Sequence, residues 1–204
     1  MARIVPALLL LFAVLTCLPV YGWQPARPQA GIGLLIISPF TSAQTAEINS
    51  AILYQAPGIG RIGQLAAADM PRLHPVAETG GGEYALAVTG KKREWLRIVY
   101  DEAGREGWLR SGKFWQYHPW SSFLKGRSVF LLPKLRATSY MLRKECSDKS
   151  ESLADIPANR IVRIIEVDGD WIKVEIESAG TGYLRWRDND GRFMISLGRI
   201  YKQV

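Results

Sequence analysis

The chain has 204 residues, enough for one ordinary domain or two small ones. Apolar residues make up 48% and charged residues 22%, which excludes a disordered polymer and places the chain among globular proteins. The net charge of +7 would suit nucleic acid, anionic lipid or an acidic polymer, but no run of four Lys/Arg occurs, so charge alone selects no partner.

Residues 1–22 have the layout of a secretory signal peptide. Arg3 supplies a positive start, Ala7 to Leu18 is a largely apolar run, Pro19 breaks it, and Val20-Tyr21-Gly22 offers a cleavage site after Gly22. An uncleaved anchor is the alternative, although the run falls short of the roughly twenty residues a membrane span needs. Cys17 raises a lipoprotein reading, against which Thr16 stands in place of the usual small residue. The expectation is an exported protein, periplasmic or otherwise in the cell envelope, with no stable membrane span once the leader is removed. One cysteine then remains, Cys146, so an internal disulfide is excluded and packed cores must supply the stability.

Residues 23–49 read as an N-terminal extension. The Pro-rich start lacks periodicity, Leu34 to Ile37 is short enough for a strand, and Thr41 to Asn49 could form a turn or two of helix. Residues 50–112 read as a first β-unit. Ala51 to Tyr54 is a strand closed by Pro57-Gly58, Arg61 to Leu65 a second, and Ala66 to Gly82 a long loop. Glu83 to Val88 alternates as a strand and turns at Thr89 to Glu94, where Lys91-Lys92-Arg93 forms a solvated cluster. Trp95-Leu96-Arg97-Ile98-Val99-Tyr100, a turn at Asp101 to Gly104, and Gly107-Trp108-Leu109-Arg110 complete it. Residues 113–126 form an aromatic linker holding Phe114, Trp115, Tyr117, His118, Trp120 and Phe123, with no strict alternation.

Residues 127–204 repeat the first unit. Ser128 to Pro133 opens it, Arg136 to Ile156 is a long polar insert, and Arg160 to Val167 is a strong strand turning at Asp168-Gly169-Asp170. Trp171-Ile172-Lys173-Val174-Glu175-Ile176 then matches the Trp95 strand, and Gly182-Tyr183-Leu184-Arg185 matches Gly107 to Arg110. Two copies of one pattern, W-[LI]-[RK]-[IV]-x-[YI] followed by G-[WY]-L-R, mean two copies of one small β-structure. The tail from Leu197 to Val204 closes the second unit or pairs with the first.

Alternate residues of a strand share a face. Leu96, Ile98 and Tyr100 therefore point together, as do Ile172, Val174 and Ile176, and this aliphatic face is the core because the other carries Arg97 and Lys173. Trp95 and Trp171 accordingly fall on the more exposed face. A two-residue Glu102-Ala103 turn sets Arg97 opposite Trp108 and Trp95 opposite Arg110. Such a face either binds a ligand or consists of indole lids carrying packed Arg stems.

The hairpin, Trp-Leu-Arg-Ile, turn and Gly-Trp-Leu series resembles the closing half of a bacterial SH3 (SH3b) domain, and the strands ending at Pro57 and Pro133 fit its opening half. The resemblance covers residues 50–112 and, more loosely, 127–200, where Tyr183 replaces Trp108 and the Arg136–Ile156 insert intrudes. It implies an all-β chain of two small SH3-like barrels in tandem that binds peptide or peptidoglycan. Carried over by position, it marks Tyr54, Trp95 and Trp108 as ligand-binding candidates in the first unit, and Trp171 and Tyr183 in the second. Arg97 and Arg110 join them from the cross-strand pairing.

Little else suggests chemistry. The two histidines, His74 and His118, and one mature cysteine lack zinc-ligand spacing, and no metal or other cofactor is implied. Asp168, Asp170, Asp188 and Asp190 flank turn residues, which is turn chemistry before it is a calcium site. Gly80 to Gly82 does not lead a strand into a helix, so no phosphate loop follows. The aromatic linker is either mortar between the units or a stacking surface for sugars. Trp115, Tyr117, Trp120 and Phe123 are the interdomain or partner-docking candidates. Nucleic acid is not expected for an exported protein. The leading expectation is a non-enzymatic binding or adaptor protein recognising a cell-wall peptide, glycan or envelope protein. The alternatives are a structural or regulatory subunit docking onto an envelope enzyme through the linker, and a minimal hydrolase using Cys146.

Overall fold

Each copy of the repeat folds as the alternation predicts. In the computed structural model, which describes residues 27–37, 51–65, 75–79, 84–113, 115–158, 160–177, 179–197 and 199–200, both Trp strands are central members of β-sheets. Leu96 and Ile98 are buried in the first copy, and Ile172, Val174 and Ile176 in the second, with Tyr100 almost fully covered. The leader at 1–22, the helical turn at 41–49, Phe114 and most of the 66–82 loop lie outside the described residues.

The first sheet contains β1 (Gly33–Ile37), β2 (Ile52–Ala56), β3 (Ile59–Gln64), β4 (Ala77–Thr79), β5 (Tyr84–Lys92), β6 (Trp95–Val99), β7 (Glu106–Arg110) and β8 (Trp115–Pro119). The short β16 (Arg199–Ile200), from the tail, runs parallel to β4, and every other pairing is antiparallel. Within this sheet the order is β16-β4-β5-β6-β7-β2-β3, with β1 paired to both β5 and β8. The second sheet orders β9 (Ser128–Leu131), β10 (Met141–Arg143), β11 (Ser152–Asp155), β12 (Ile161–Asp168), β13 (Trp171–Ile176), β14 (Gly180–Arg185) and β15 (Ile195–Ser196) as β11-β10-β14-β13-β12-β9-β15. The chain is nearly all β, with one short helix, α1 (Trp120–Leu124), and a 3-10 turn (Ala137–Tyr140) among the described residues.

Turn chemistry sets the registers. Ala56 pairs with Ile59 across Pro57-Gly58, where Gly58 takes φ +75°, and Asp168 pairs with Trp171 across Gly169-Asp170, where Gly169 takes φ +56°. Both left-handed positions favour glycine. Beyond the Asp101–Gly104 turn, Arg97 faces Trp108 and Trp95 faces Arg110, as the expected turn length requires. The second copy repeats this, with Trp171 facing Arg185 and Lys173 facing Tyr183.

The expectation of closed barrels needs correction, and three segments carry more structure than the sequence announced. The closed barrels are not found: among the described residues, the first ladder ends at β3 and β16, and the second at β11 and β15. The strand expected at residues 34–37 forms, and as β1 (Gly33–Ile37) it lies between β5 and β8. Leu34, Leu35 and Ile37 are fully buried there, since one face meets the first unit's core and the other the core shared with the second. A strand covered on both faces shows a continuous apolar run, not alternation. The aromatic linker is regular, with β8 running directly into α1. The polar insert holds the paired strands β10 and β11, anchored by buried Leu142 and Ile156.

One apolar cluster fills the first unit and includes Leu35, Ile37, Leu53, Leu96, Ile98 and Trp115. A second spans the units. It brings Ala30, Leu34 and Ala85 together with Trp120, Phe123 and Leu124 of α1, and with Trp186 and Phe193 beyond β14. The segment before β1 stitches the same junction. The Trp120 indole donates to the Ala30 carbonyl at 2.8 Å, Arg187 donates to the Gly31 carbonyl at 2.9 Å, and Arg27 pairs with Asp188.

Candidate functional site

The first unit gathers four of the candidate residues in one groove of ≈ 450 Å³, where Tyr54, Trp95, Arg110 and Trp115 meet Ala51 and Gly58. The outward face of β6 supplies Trp95, its Cα partner on β7 is Arg110, and β2 supplies Tyr54. The Tyr54 and Trp95 rings meet edge to face, with centroids 5.5 Å apart and planes at 86°, a favourable quadrupolar arrangement. Trp95 is half-buried, and its strand partner Arg110 is 73% exposed, with its Nε 4.0 Å from Glu94. Trp115 is buried at 7% exposure, and its indole nitrogen has no hydrogen-bond partner among the described residues.

Arg97 and Trp108 form a second contact outside that groove. The guanidinium carbon lies 5.7 Å from the indole centroid, Arg97 Nε donates to Thr89 Oγ1 at 3.0 Å, and Glu106 is 3.3 Å away. Arg97 is thus tied to the sheet on three sides.

In the second unit Trp171 is only 8% exposed, which corrects the expectation that both repeat tryptophans lie open. Its cover is Arg185, whose guanidinium carbon sits 4.7 Å from the ring centroid. Arg185 is fixed in turn by a two-pronged hydrogen bond to Asp148, Nε to Oδ1 at 3.0 Å and Nη2 to Oδ2 at 2.7 Å. This bond holds the Asp148 carboxyl below the ordinary carboxylate range and raises the Arg185 pKa. Trp171 and Arg185 line a separate groove of ≈ 530 Å³; Tyr183 is half-buried and lies outside its lining. The matched copies therefore differ through one arginine, exposed on Trp95's strand partner and locked over Trp171.

The four linker candidates divide. Trp115 belongs to the first core, with Tyr117 packed against it, and Lys91 Nζ lies 4.7 Å from the Tyr117 ring centroid. Trp120 and Phe123 are buried in the shared cluster, where Trp120 lies 5.3 Å from Trp186 and 5.2 Å from Phe193. The turn aspartates are answered by cations, Asp170 by Arg187 and Asp188 by Arg27. Among the described residues no cluster of three His, Cys, Asp or Glu could hold a metal ion, and no helix is long and apolar enough to cross a membrane. Burial pushes the Cys146 thiol pKa up, and Asp168 and Glu166 push it further. Burial lowers that of His118, as does the charge of Arg127.

Sequence reasoning missed Asp148, Lys134 and Arg136. Asp148 stands in the stretch read only as a long polar insert, and nothing nearby in sequence announces its arginine partner. Arg185 was within reach, since it holds the repeat position of Arg110.

No family profile matches the chain, and no curated protein sequence matches it. Among solved structures it is similar to NlpC1 from Trichomonas vaginalis, with a TM-score of 0.30 and 10% identity, over 82% of this chain and 51% of that one. The chain thus spans about half the length of that protein.

Proposed function

We propose that the chain is a non-enzymatic binding or adaptor protein of the bacterial envelope, built from two SH3b-like units, that recognises a cell-wall peptide or glycan, or an envelope protein, through the groove of its first unit. The observation that carries this reading is the meeting of Tyr54, Trp95, Arg110 and Trp115 in one groove, with the Trp95 indole half open and the exposed Arg110 at its rim. A cleft of this size with an aromatic wall and few polar groups suits a short extended peptide or a sugar ring. The leader-like residues 1–22 support export.

The two alternatives have less support. A subunit docking through the aromatic segment would need that surface free, and Trp115, Trp120 and Phe123 are buried. A cysteine hydrolase needs a depressed thiol pKa, and that of Cys146 is raised.

Co-sedimentation with purified peptidoglycan at low salt tests the proposal. The mature protein should pellet with the wall, and Trp95→Ala should remain in the supernatant while keeping its folded circular-dichroism spectrum. Absence of the wild-type protein from the pellet, or equal pelleting of the variant, would reject this site as the wall-binding surface.

A further inference from the structure

The second sheet has an outward face that the shared core does not use. Along β12, Ile161-Val162-Arg163-Ile164-Ile165 is apolar at four of five positions. Val162 and Ile164 point into the core and are fully buried, whereas Ile161 is 55% and Ile165 37% exposed. Phe130, the Cα partner of Ile161 on β9, is 39% exposed, so three of the six large exposed apolar side chains among the described residues lie on this one face. A strand apolar on both sides is the pattern of one covered on both faces, as β1 shows within this chain. Contiguous apolar exposure with a polar rim marks an interaction surface. The strip borders a groove of ≈ 860 Å³ whose far side is low, formed by Gly180 and Thr181. A Cβ added to Gly180 would meet nothing within 4 Å. The charges beside the strip are ordered. Arg163 and Glu175 are Cα partners on β12 and β13, and one step along, Glu166 and Lys173 are partners with the signs exchanged. None of these four makes an ion pair among the described residues.

We infer that this face is a dimer interface whose occupant is a second copy of this chain. The strands around the charged pairs run in the order β14-β13-β12-β9. A two-fold axis along the strands, between β12 and β13, therefore exchanges β12 with β13 and β9 with β14. Under that axis Arg163 of one copy meets Glu175 of the other, Glu166 meets Lys173, and each contact occurs twice. The Phe130 ring enters the other copy's groove above Gly180 and Thr181, and Ile161 is covered beside it. Such a face is complementary to itself, as a two-fold interface requires. A uniformly acidic or basic partner would meet like charge here, which costs affinity. The face is separate from the Tyr54–Trp95 groove, and the inference stands or falls independently of the function proposed for that groove.

Sedimentation equilibrium of the mature chain, from about 1 μM to about 200 μM, tests this. The mass should rise with concentration toward twice that of one chain. Ile161→Glu changes a position more than half exposed, so it should fold as the parent does and weaken association at least about tenfold. Arg163→Glu and Glu175→Arg each set like charges against one another across the axis, and each alone should weaken association by a similar factor. An equimolar mixture of these two variants should dimerise again, because they carry opposite charges at both contact positions. Repair within a single chain cannot produce that result, since each chain keeps its own mismatch. A wild-type chain that stays monomeric throughout would overturn the inference, including the case in which a different protein covers the face. A dimer that Ile161→Glu leaves intact, or a mixture no more associated than its components, would overturn it as well.

Discussion

Replacing Trp120 by alanine should weaken both sheets together. Trp120 is 4% exposed, its ring lies within 6 Å of Trp186, Phe193 and Phe123, and its indole donates to the buried Ala30 carbonyl at 2.8 Å. Truncating a buried tryptophan costs about 3–5 kcal/mol in transfer and cavity terms. Leaving the Ala30 carbonyl without its donor adds about 1–3 kcal/mol, less where the chain relaxes or water enters. A total of about 4–8 kcal/mol corresponds, in a chain of this size, to a fall in melting temperature of roughly 8–32 °C. Trp120→Phe keeps most of the ring and removes the donor, so about 1–3 kcal/mol is expected. Urea unfolding should be followed by near-ultraviolet circular dichroism and by amide signals from both β6 and β13. The two sets of signals should shift to lower urea in a single transition, because the Trp120 cluster contains residues of both sheets. A loss below about 1 kcal/mol for the alanine variant, or destabilisation of β13 with β6 unchanged, would refute the shared core.

Other substitutions and titrations probe separate parts of the account. Gly182→Ala would place a Cβ 2.6 Å from Leu142 Cγ and 2.9 Å from the Arg143 carbonyl, so about 1–3 kcal/mol of stability should be lost in thermal melts. Arg185→Lys should raise the Asp148 pKa toward its ordinary value, as carboxyl ¹³C shifts would report. The folded-state pKa of Asp148 is depressed. Its contribution is therefore present above the ordinary carboxylate pKa and declines as pH falls through the lower folded value, and Arg185→Lys should blunt that acid-side decline in urea titrations. Because Asp148 is largely exposed, the effect should be small. Asp168→Asn should lower the Cys146 pKa and speed its alkylation near neutral pH, and Cys146→Ser should leave wall binding unchanged.

The parts of the fold governed by local rules were legible in the residues. A two-residue period set the buried faces of β6 and β13, and the length of the Glu102-Ala103 turn set the Trp95–Arg110 and Arg97–Trp108 register. Positions governed by distant partners were not. Leu34 to Ile37 gave no alternation because both faces of β1 are covered, so a central strand looked like part of a terminal extension. Trp171 has the same strand phase as Trp95, yet Asp148 reaches across 37 positions to hold Arg185 over it. Trp120 and Phe123 announced an apolar role, but their partners Ala30, Trp186 and Phe193 come from opposite ends of the chain. The candidate site was half legible. The repeat pointed to Trp95 and Arg110 and the SH3b resemblance to Tyr54, whereas the contacts of Arg97 with Thr89 and Glu106, outside that groove, were not visible in the sequence.

The most direct test of the proposed function is the response of the two first-groove indole N–H signals, Trp95 and Trp115, to soluble peptidoglycan fragments added to the ¹⁵N-labelled mature protein. The account predicts that both signals shift with increasing ligand, along with amides near Gly58 and Ser111, and that Trp95→Ala abolishes the response. Unchanged Trp95 and Trp115 signals while the same fragments perturb other parts of the protein would contradict it.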